Sequence, residues 1–180
     1  NESLIYNVGK RIGVHAKRIG VHINFAPVTD INTNPNNPII GSRSFGEDKF
    51  SVTNKSLSYL MGMQSEGIMG SAKHFPGHGD TSTDSHNTLP TINFSAKRIN
   101  EVELFPYKKL IDNNLSSVMV AHMEVPSLEK EPKMPSTLSK NIISKLLKKK
   151  LKFEGLVITD AMDMKGVVDF NKNQLQMLWI

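Results

Sequence analysis

Apolar segments with strand character recur along this chain, and each is followed by polar residues and then by a stretch with helical spacing. The segments lie at 21–28, 68–75, 117–122 and 156–159, at intervals of roughly forty residues, which is long enough for a helix between successive strands. Strands that alternate with helices pair in parallel and are joined by right-handed crossovers. The sequence therefore predicts an α/β fold built on a parallel sheet.

A helix is predicted before and after each strand in the sequence. Gly20 and Gly67 end the first two, because glycine is the common stop residue after a helix. Pro106 predicts a kink in the third, since proline removes an internal hydrogen bond. The predicted helices are 2–19, a stretch within 48–66, Ser95 to about 113, a lysine-rich helix capped by Ser139, and one that begins near Asp163.

Two architectures fit this alternation, an open doubly wound sheet and a (β/α)8 barrel of the TIM type. A barrel gathers the carboxyl ends of all its strands into one active-site rim, whereas an open sheet concentrates function at one switch point. Polar residues follow every predicted strand, which favours the barrel. A complete barrel needs about 250 residues, so we expect residues 1–180 to form about half of one. The polar residues are Asp30, Lys73 with His74, His122 with Glu124, and Asp160.

Composition excludes several classes of protein. The chain has 180 residues, 38% hydrophobic and 22% charged, which is the balance of an ordinary globular domain. No apolar run approaches the roughly 20 residues of a membrane span, so none is predicted. The absence of cysteine excludes disulfides, thiolate metal sites and a cysteine nucleophile. Because the chain begins with Asn1, we expect it to be a piece of a longer bacterial protein, whose compartment, cytoplasm or cell envelope, stays open.

The formal net charge is +5, and four lysines cluster at 148–152. Such a run can bind nucleic acid, or it can be the wet face and last turn of a helix. Apolar residues at near-helical spacing precede it, and lysines suit the carboxyl end of a helix dipole. We therefore predict a solvated helix face and no nucleic-acid partner.

The segment 73–86, KHFPGHGDTSTDSH, holds three histidines, two aspartates and a lysine. Pro76 and Gly77 exclude a continuous helix, so these side chains converge on a loop. His74, His78, Asp80, Asp84 and His86 are residue types that bind zinc. A metal-dependent hydrolase is therefore a rival interpretation, but without a helix His74 and His78 are not aligned as a ligand pair, and no metal is predicted.

Three blocks together resemble the catalytic barrel of bacterial family-3 glycoside hydrolases, in the β-N-acetylglucosaminidase branch. They are FAPVTDINTNPNNPIIGSRSFGED, KHFPGHGDTSTDSH and GLVITDAMDMKGV, and they occur in the family's order over nearly the whole chain. The resemblance implies a (β/α)8 barrel that removes terminal β-linked N-acetylglucosamine, often from peptidoglycan fragments. It implies no cofactor.

Carried over by position, the resemblance makes Asp160 the nucleophile and His86 the acid/base, with Asp84 as the partner of His86. A carboxylate can form a glycosyl-enzyme intermediate. Imidazole titrates near neutral pH, and an adjacent aspartate fixes its tautomer. The alternative for Asp160 is a helix N-cap, for which neighbouring Asp163 is the better candidate.

The resemblance also implies substrate-binding residues. Lys73 and His74 are similar to the family's sugar-contacting pair, and Arg43 to an arginine that reaches the sugar. Lysine and arginine donate hydrogen bonds to hydroxyl oxygens and do not accept them. His122 and Asp30 are expected at the same rim with less defined roles.

Other functions stay open beside this one. A β-glucosidase of the same family is the runner-up, although such relatives generally take their acid/base from another domain. A phosphorylase is allowed because imidazole does not repel phosphate as a carboxylate would. The family's barrel also starts with a block similar to DQEGGRV, which is absent from these residues. We therefore expect the parent protein to be the enzyme, with the missing strands as partners, and these residues alone to be an inactive sugar-binding piece.

Overall fold

Four parallel strands form one sheet whose spatial order follows the chain. The computed structural model describes residues 1–81 and 88–175, with only the backbone of 171–175. The strands are β1 Ile23–Asn24, β2 Met69–Phe75, β3 Ser117–Val120 and β4 Leu156–Thr159. A doubly wound sheet reverses its strand order at a switch point. The unbroken order confirms the barrel-type prediction, with about half of a (β/α)8 barrel present.

Helices alternate with these strands as predicted. The α1 helix ends just before Gly20, which has a positive φ of 78°. The α2 helix begins after Asp48, whose carboxylate accepts a hydrogen bond from the Ser51 amide at 2.8 Å. The helices are α1 Glu2–Arg18, α2 Lys49–Gln64, α3 Ala96–Glu101, α4 Phe105–Ile111, a π-helix Asn141–Lys150, and α5 Lys165–Leu175.

The prediction of a single kinked helix from Ser95 to about 113 is wrong. Ser95 does cap a helix, by accepting a hydrogen bond from the Arg98 amide at 3.2 Å. The chain then divides into α3 and α4, and Pro106 lies in the first turn of α4. A proline there costs no internal hydrogen bond, because the first amides of a helix have no intrahelical partner. Pro106 therefore starts a helix instead of bending one.

The first strand is shorter than the predicted 21–28. Ladder pairing is limited to β1, with one further parallel bridge between Val28 and Lys73. Pro27 lies between these pairings and cannot donate to a ladder, and the Ala26–Pro27 peptide bond is cis. The bridge is continued by the Thr29 amide, which donates to the Lys73 carbonyl at 2.7 Å. The chain after β1 is thus held against β2 up to the rim.

The main core packs the helices onto β2 and β3. Every side chain of β3 is buried, and the rings of Phe75 and Tyr107 meet edge to face with centroids 5.0 Å apart. Among the described residues β4 pairs with β3 alone, and Leu156 is 49% exposed. Phe25, just after β1, is 47% exposed. Both outer strands of the sheet therefore present open sides.

The lysine run lies on a wet helix face, as predicted. Ile142, Leu146 and Leu147 of the π-helix are buried, while Lys149 and Lys150 are exposed. Lys148 is half-buried, and its ammonium donates to the Gly155 carbonyl at 2.7 Å. No helix of the described residues is long and apolar enough to cross a bilayer.

Candidate active site

Asp30 is a fully buried carboxylate that organises the end of β2. It accepts hydrogen bonds from the His74 amide at 3.1 Å, from the His78 amide at 2.7 Å and from the His74 ring at 2.7 Å. Since an ionised carboxylate only accepts, the His74 Nδ1 carries the proton. Asp30 therefore fixes both the orientation and the tautomer of His74.

Burial has different net effects on the pKa values of Asp30 and His78. Burial alone raises the pKa of Asp30, but the charge and hydrogen bond of His74, with smaller help from His78, outweigh it and leave that pKa below its ordinary value. Burial lowers the pKa of His78, more than the Asp30 charge raises it. The site is thus built around an ionised aspartate and a histidine that favours its neutral form.

The loop after β2 is tied to the loop after β1. The Asn37 side chain donates to the His78 carbonyl at 2.8 Å and accepts from the amides of Ile39 and Ile40 at 2.9 and 2.8 Å. A Cβ on Gly79 would lie 1.9 Å from the Ile31 carbonyl oxygen. Only glycine allows this close approach of two backbones.

A cleft of about 190 Å³ opens at the carboxyl ends of the strands. It brings together four residues that the sequence predicts as functional, Arg43, Lys73, His74 and Asp160. These residues come from the loop after β1, from β2 and from the end of β4. The cleft is completed by Phe25, Ile39, His78 and Met119.

The cleft combines two cations with one carboxylate. The pKa of Lys73 is lowered overall, mainly by burial and then by the neighbouring Arg43 charge. The Asp160 and Asp30 charges raise it, but by less. The Arg43 side chain is anchored by a hydrogen bond from its guanidinium to the Ile39 carbonyl at 3.1 Å. A cleft of this kind can orient a polyhydroxylated ligand through charged donors and present a carboxylate to it.

Asp160 directly follows β4 and is half-buried. Its amide donates to the Val120 carbonyl at 3.0 Å, and its carboxylate accepts from the Ala161 amide at 2.8 Å. The second contact is to the next residue and caps no helix, because α5 begins only at Lys165. The cap alternative for Asp160 is therefore wrong, and Asp160 lines the cleft, where its catalytic role stays a prediction.

Two predicted rim residues lie beneath the cleft instead of lining it. Asp30 and His122 are each 1% exposed. His122 donates from Nε2 to the Ala161 carbonyl at 2.9 Å and contacts the Thr137 hydroxyl through Nδ1. Sugar contact by these two residues stays a prediction, and their observed contacts are to protein groups.

Glu124 faces a second cavity of about 490 Å³ on the same rim, bordered by Thr91, Lys133, Lys165 and Asp169. Its carboxylate accepts hydrogen bonds from the Thr91 hydroxyl at 2.9 Å and the Lys133 amide at 2.7 Å. The Glu124 carboxylate therefore links the segments that contain Thr91 and Lys133.

The predicted acid/base His86 and its partner Asp84 lie outside the described residues. Their roles stay predictions. Within residues 1–81 and 88–175, no group of three histidine, aspartate or glutamate side chains is arranged to hold a metal ion.

The family model for the N-terminal domain of glycosyl hydrolase family 3 matches residues 1–178. The chain belongs to this family. Among curated relatives, β-hexosaminidase A of Pseudoalteromonas piscicida is 37% identical over 91% of the chain. A family-3 β-N-acetylglucosaminidase from Paenibacillus superposes with a TM-score of 0.92 at 39% identity over 94% of the chain. A β-glucoside phosphorylase superposes with a TM-score of 0.90 at 29% identity over 94% of the chain.

This family-3 chain spans only part of each relative. It covers 29% of the Pseudoalteromonas protein, 32% of the Paenibacillus protein and 32% of the phosphorylase. The activities named for these proteins therefore concern longer chains.

Sequence reasoning did not identify Phe25, Ile39 or Met119 as lining residues of the family-3 cleft. The sequence carries no signal that separates an apolar side chain in a cleft wall from one in a core. Asn37 was also missed, although its position within NPNNP marks a loop in which asparagine commonly bonds to nearby amides.

We expect acid to destabilise the fold in two stages. The pKa of His78 in the folded protein lies below the ordinary 6.5. The contribution of the neutral ring to the stability of the fold is therefore fully present above pH 6.5. This contribution is lost as pH falls from 6.5 through the lowered pKa. Asp30, whose folded pKa lies below the ordinary 3.8, contributes above 3.8 and loses its contribution at lower pH.

The test is the thermal midpoint between pH 7.5 and 3 for the wild type and for His78→Gln. The variant is expected to show a flatter profile just below pH 6.5, where the wild type loses the His78 contribution. His15→Gln is the matched control, because His15 is exposed on α1. Equal slopes in the wild type and His78→Gln would contradict the expectation.

Proposed function

We propose that the full-length protein to which this chain belongs hydrolyses terminal β-linked N-acetylglucosamine by a retaining double displacement. The observation that carries the proposal is the shared cleft, in which the Asp160 carboxylate lies with Lys73, His74 and Arg43. Membership of glycosyl hydrolase family 3 and relatives named β-hexosaminidase support the choice of sugar.

In the first step an Asp160 carboxylate oxygen bonds to the anomeric carbon while the glycosidic C–O bond breaks. The departing oxygen takes a proton from His86, whose imidazolium is stabilised by Asp84. In the second step a water oxygen attacks the anomeric carbon and gives its proton to His86. The bond to Asp160 breaks, and the sugar leaves with its original β configuration.

The other cleft residues orient the sugar before the chemistry. Lys73 and Arg43 donate hydrogen bonds to hydroxyl or carbonyl oxygens of the ring substituents. His74 borders the cleft and is fixed through Nδ1 by Asp30, so its other ring nitrogen, Nε2, is the one assigned to the ligand. Such fixed groups reduce the entropy lost on reaching the transition state.

The proposal places the whole chain, residues 1–180, in a partial catalytic barrel completed by further strands of the parent protein. The open sides at β1 and β4 support this, with Leu156 and Phe25 about half exposed. We expect the 180 residues alone to turn over more slowly than the full-length protein. Equal rates from the two forms would contradict the need for the remaining strands.

Paired aryl glycosides test the substrate class. The full-length protein is expected to cleave the β-N-acetylglucosaminide with a higher kcat/KM than the β-glucoside. The assay is the release of the same chromophore from both, with and without chelator to test the metal-dependent alternative. Faster cleavage of the glucoside would overturn the assignment in favour of a β-glucosidase, and loss of activity with chelator would favour the metal-dependent hydrolase.

A phosphorylase is the second candidate, because one close structural neighbour is named a β-glucoside phosphorylase. Phosphate would then replace water in the second step and leave with the sugar. Under the hydrolase proposal the rate does not depend on phosphate. A phosphate-dependent rate with sugar phosphate as product would favour the phosphorylase.

A further inference from the structure

Both backbone groups of Ala161, the residue after the proposed nucleophile, form hydrogen bonds. The Ala161 amide donates to Asp160 Oδ1 at 2.8 Å, and the Ala161 carbonyl accepts from His122 Nε2 at 2.9 Å. The orientation of the Asp160 carboxylate is therefore linked through one residue to the ring of His122.

His122 is itself braced from the opposite side. Its Nδ1 contacts the Thr137 hydroxyl, and that hydroxyl donates a hydrogen bond to the Ala121 carbonyl at 3.0 Å. His122 is 1% exposed and Thr137 5% exposed, so water does not compete for these contacts. Because a carbonyl oxygen only accepts, Nε2 of His122 carries the proton that it donates to Ala161.

This arrangement differs from that of a sugar-contacting histidine. Both ring nitrogens of His122 are occupied by protein atoms, and His122 is not among the residues that line the cleft. His74 provides the contrast, because its ring borders the cleft while its Nδ1 bonds to Asp30.

We propose that His122, braced by Thr137, is a positioning residue that fixes Ala161 and thereby aims the Asp160 carboxylate at the anomeric carbon. The inference rests on the proposed function, in which Asp160 is the nucleophile. A misplacement of about 1 Å at a reacting group can cost roughly a hundredfold in rate. His122 touches no reacting atom, so its effect is expected in kcat and not in substrate binding.

The kinetic test uses variants of the full-length protein. His122→Leu removes the donor to Ala161, and His122→Gln supplies an amide donor at similar reach. We expect His122→Leu to lower kcat by about a hundredfold with KM changed by less than about twofold, as for an interaction needed only in the transition state. His122→Gln is expected to restore most of the lost rate. Thr137→Val, matched by Thr137→Ser, is expected to show the same pattern more weakly.

Three kinetic results would overturn the inference. A raised KM with unchanged kcat for His122→Leu would make His122 a sugar-binding residue. Equal losses in the leucine and glutamine variants would reduce it to a packing role, and no loss in either would remove it from the site. Thermal midpoints identify folding defects. If His122→Leu does not fold, Thr137→Val against Thr137→Ser decides on the same kcat and KM criteria.

A second readout does not depend on turnover. In crystal structures of the full-length wild type and His122→Leu, the contact between Asp160 Oδ1 and the Ala161 amide is expected in the first and lost in the second. An unchanged contact would overturn the inference. If the wild type cleaves no β-N-acetylglucosaminide, the proposed function fails, and this comparison still decides the role of His122.

Discussion

Asp160→Asn is expected to lower kcat on an aryl β-N-acetylglucosaminide by about 10⁴-fold or more, as loss of a nucleophile does in other enzymes. The amide keeps the shape of the side chain and its acceptor for the Ala161 amide, which lies 2.8 Å from the carboxylate. It cannot supply the carboxylate oxygen that bonds to the anomeric carbon. The loss is therefore chemical and not structural.

Asp163→Asn is the matched control, because Asp163 is exposed and lies three residues further along. It is expected to leave kcat nearly unchanged. Azide should partly rescue Asp160→Asn by attacking the anomeric carbon directly, which would give the α-glycosyl azide. Normal activity in Asp160→Asn, or an equal loss in Asp163→Asn, would contradict the assignment of the nucleophile.

His86→Ala is expected to lower kcat by about 10² to 10⁴-fold on glycosides with poor leaving groups, the usual range for a general acid. The loss should be smaller for a dinitrophenyl leaving group, which departs without protonation. The measurement is kcat/KM across aryl glycosides of different leaving-group pKa, for the wild type and the variant.

The exposed His15 provides the control substitution, His15→Ala, for which no dependence on the leaving group is expected. A loss in His86→Ala that is the same for every leaving group would argue against an acid/base role. Asp84→Asn should reproduce the pattern of His86→Ala more weakly, since it removes the partner and leaves the imidazole.

The architecture could be predicted because its determinants are local. Glycines stop the first two helices, and apolar segments recur between helices, so element order and the parallel sheet follow from the chain alone. Pro106 was misjudged because proline bends a helix interior but begins a new helix equally well. Only the packing of α3 and α4 decides between these outcomes.

The candidate site could be predicted only in part. Residue types at strand ends identified Lys73, His74 and Asp160, which do meet in one cleft. The sequence could not separate residues that face the cleft from those beneath it, because both kinds are polar and follow strands. Asp30 and His122 belong to the second kind, and that distinction depends on the three-dimensional path of the loops.

The most direct test of the account is covalent trapping of the full-length protein with a fluorinated glycoside that slows breakdown of the intermediate. Peptide mass mapping is expected to find one sugar on the peptide that contains Asp160, and none on Asp160→Asn. A label on another carboxylate, or full activity with no covalent intermediate on Asp160, would contradict the claim that this carboxylate attacks the sugar.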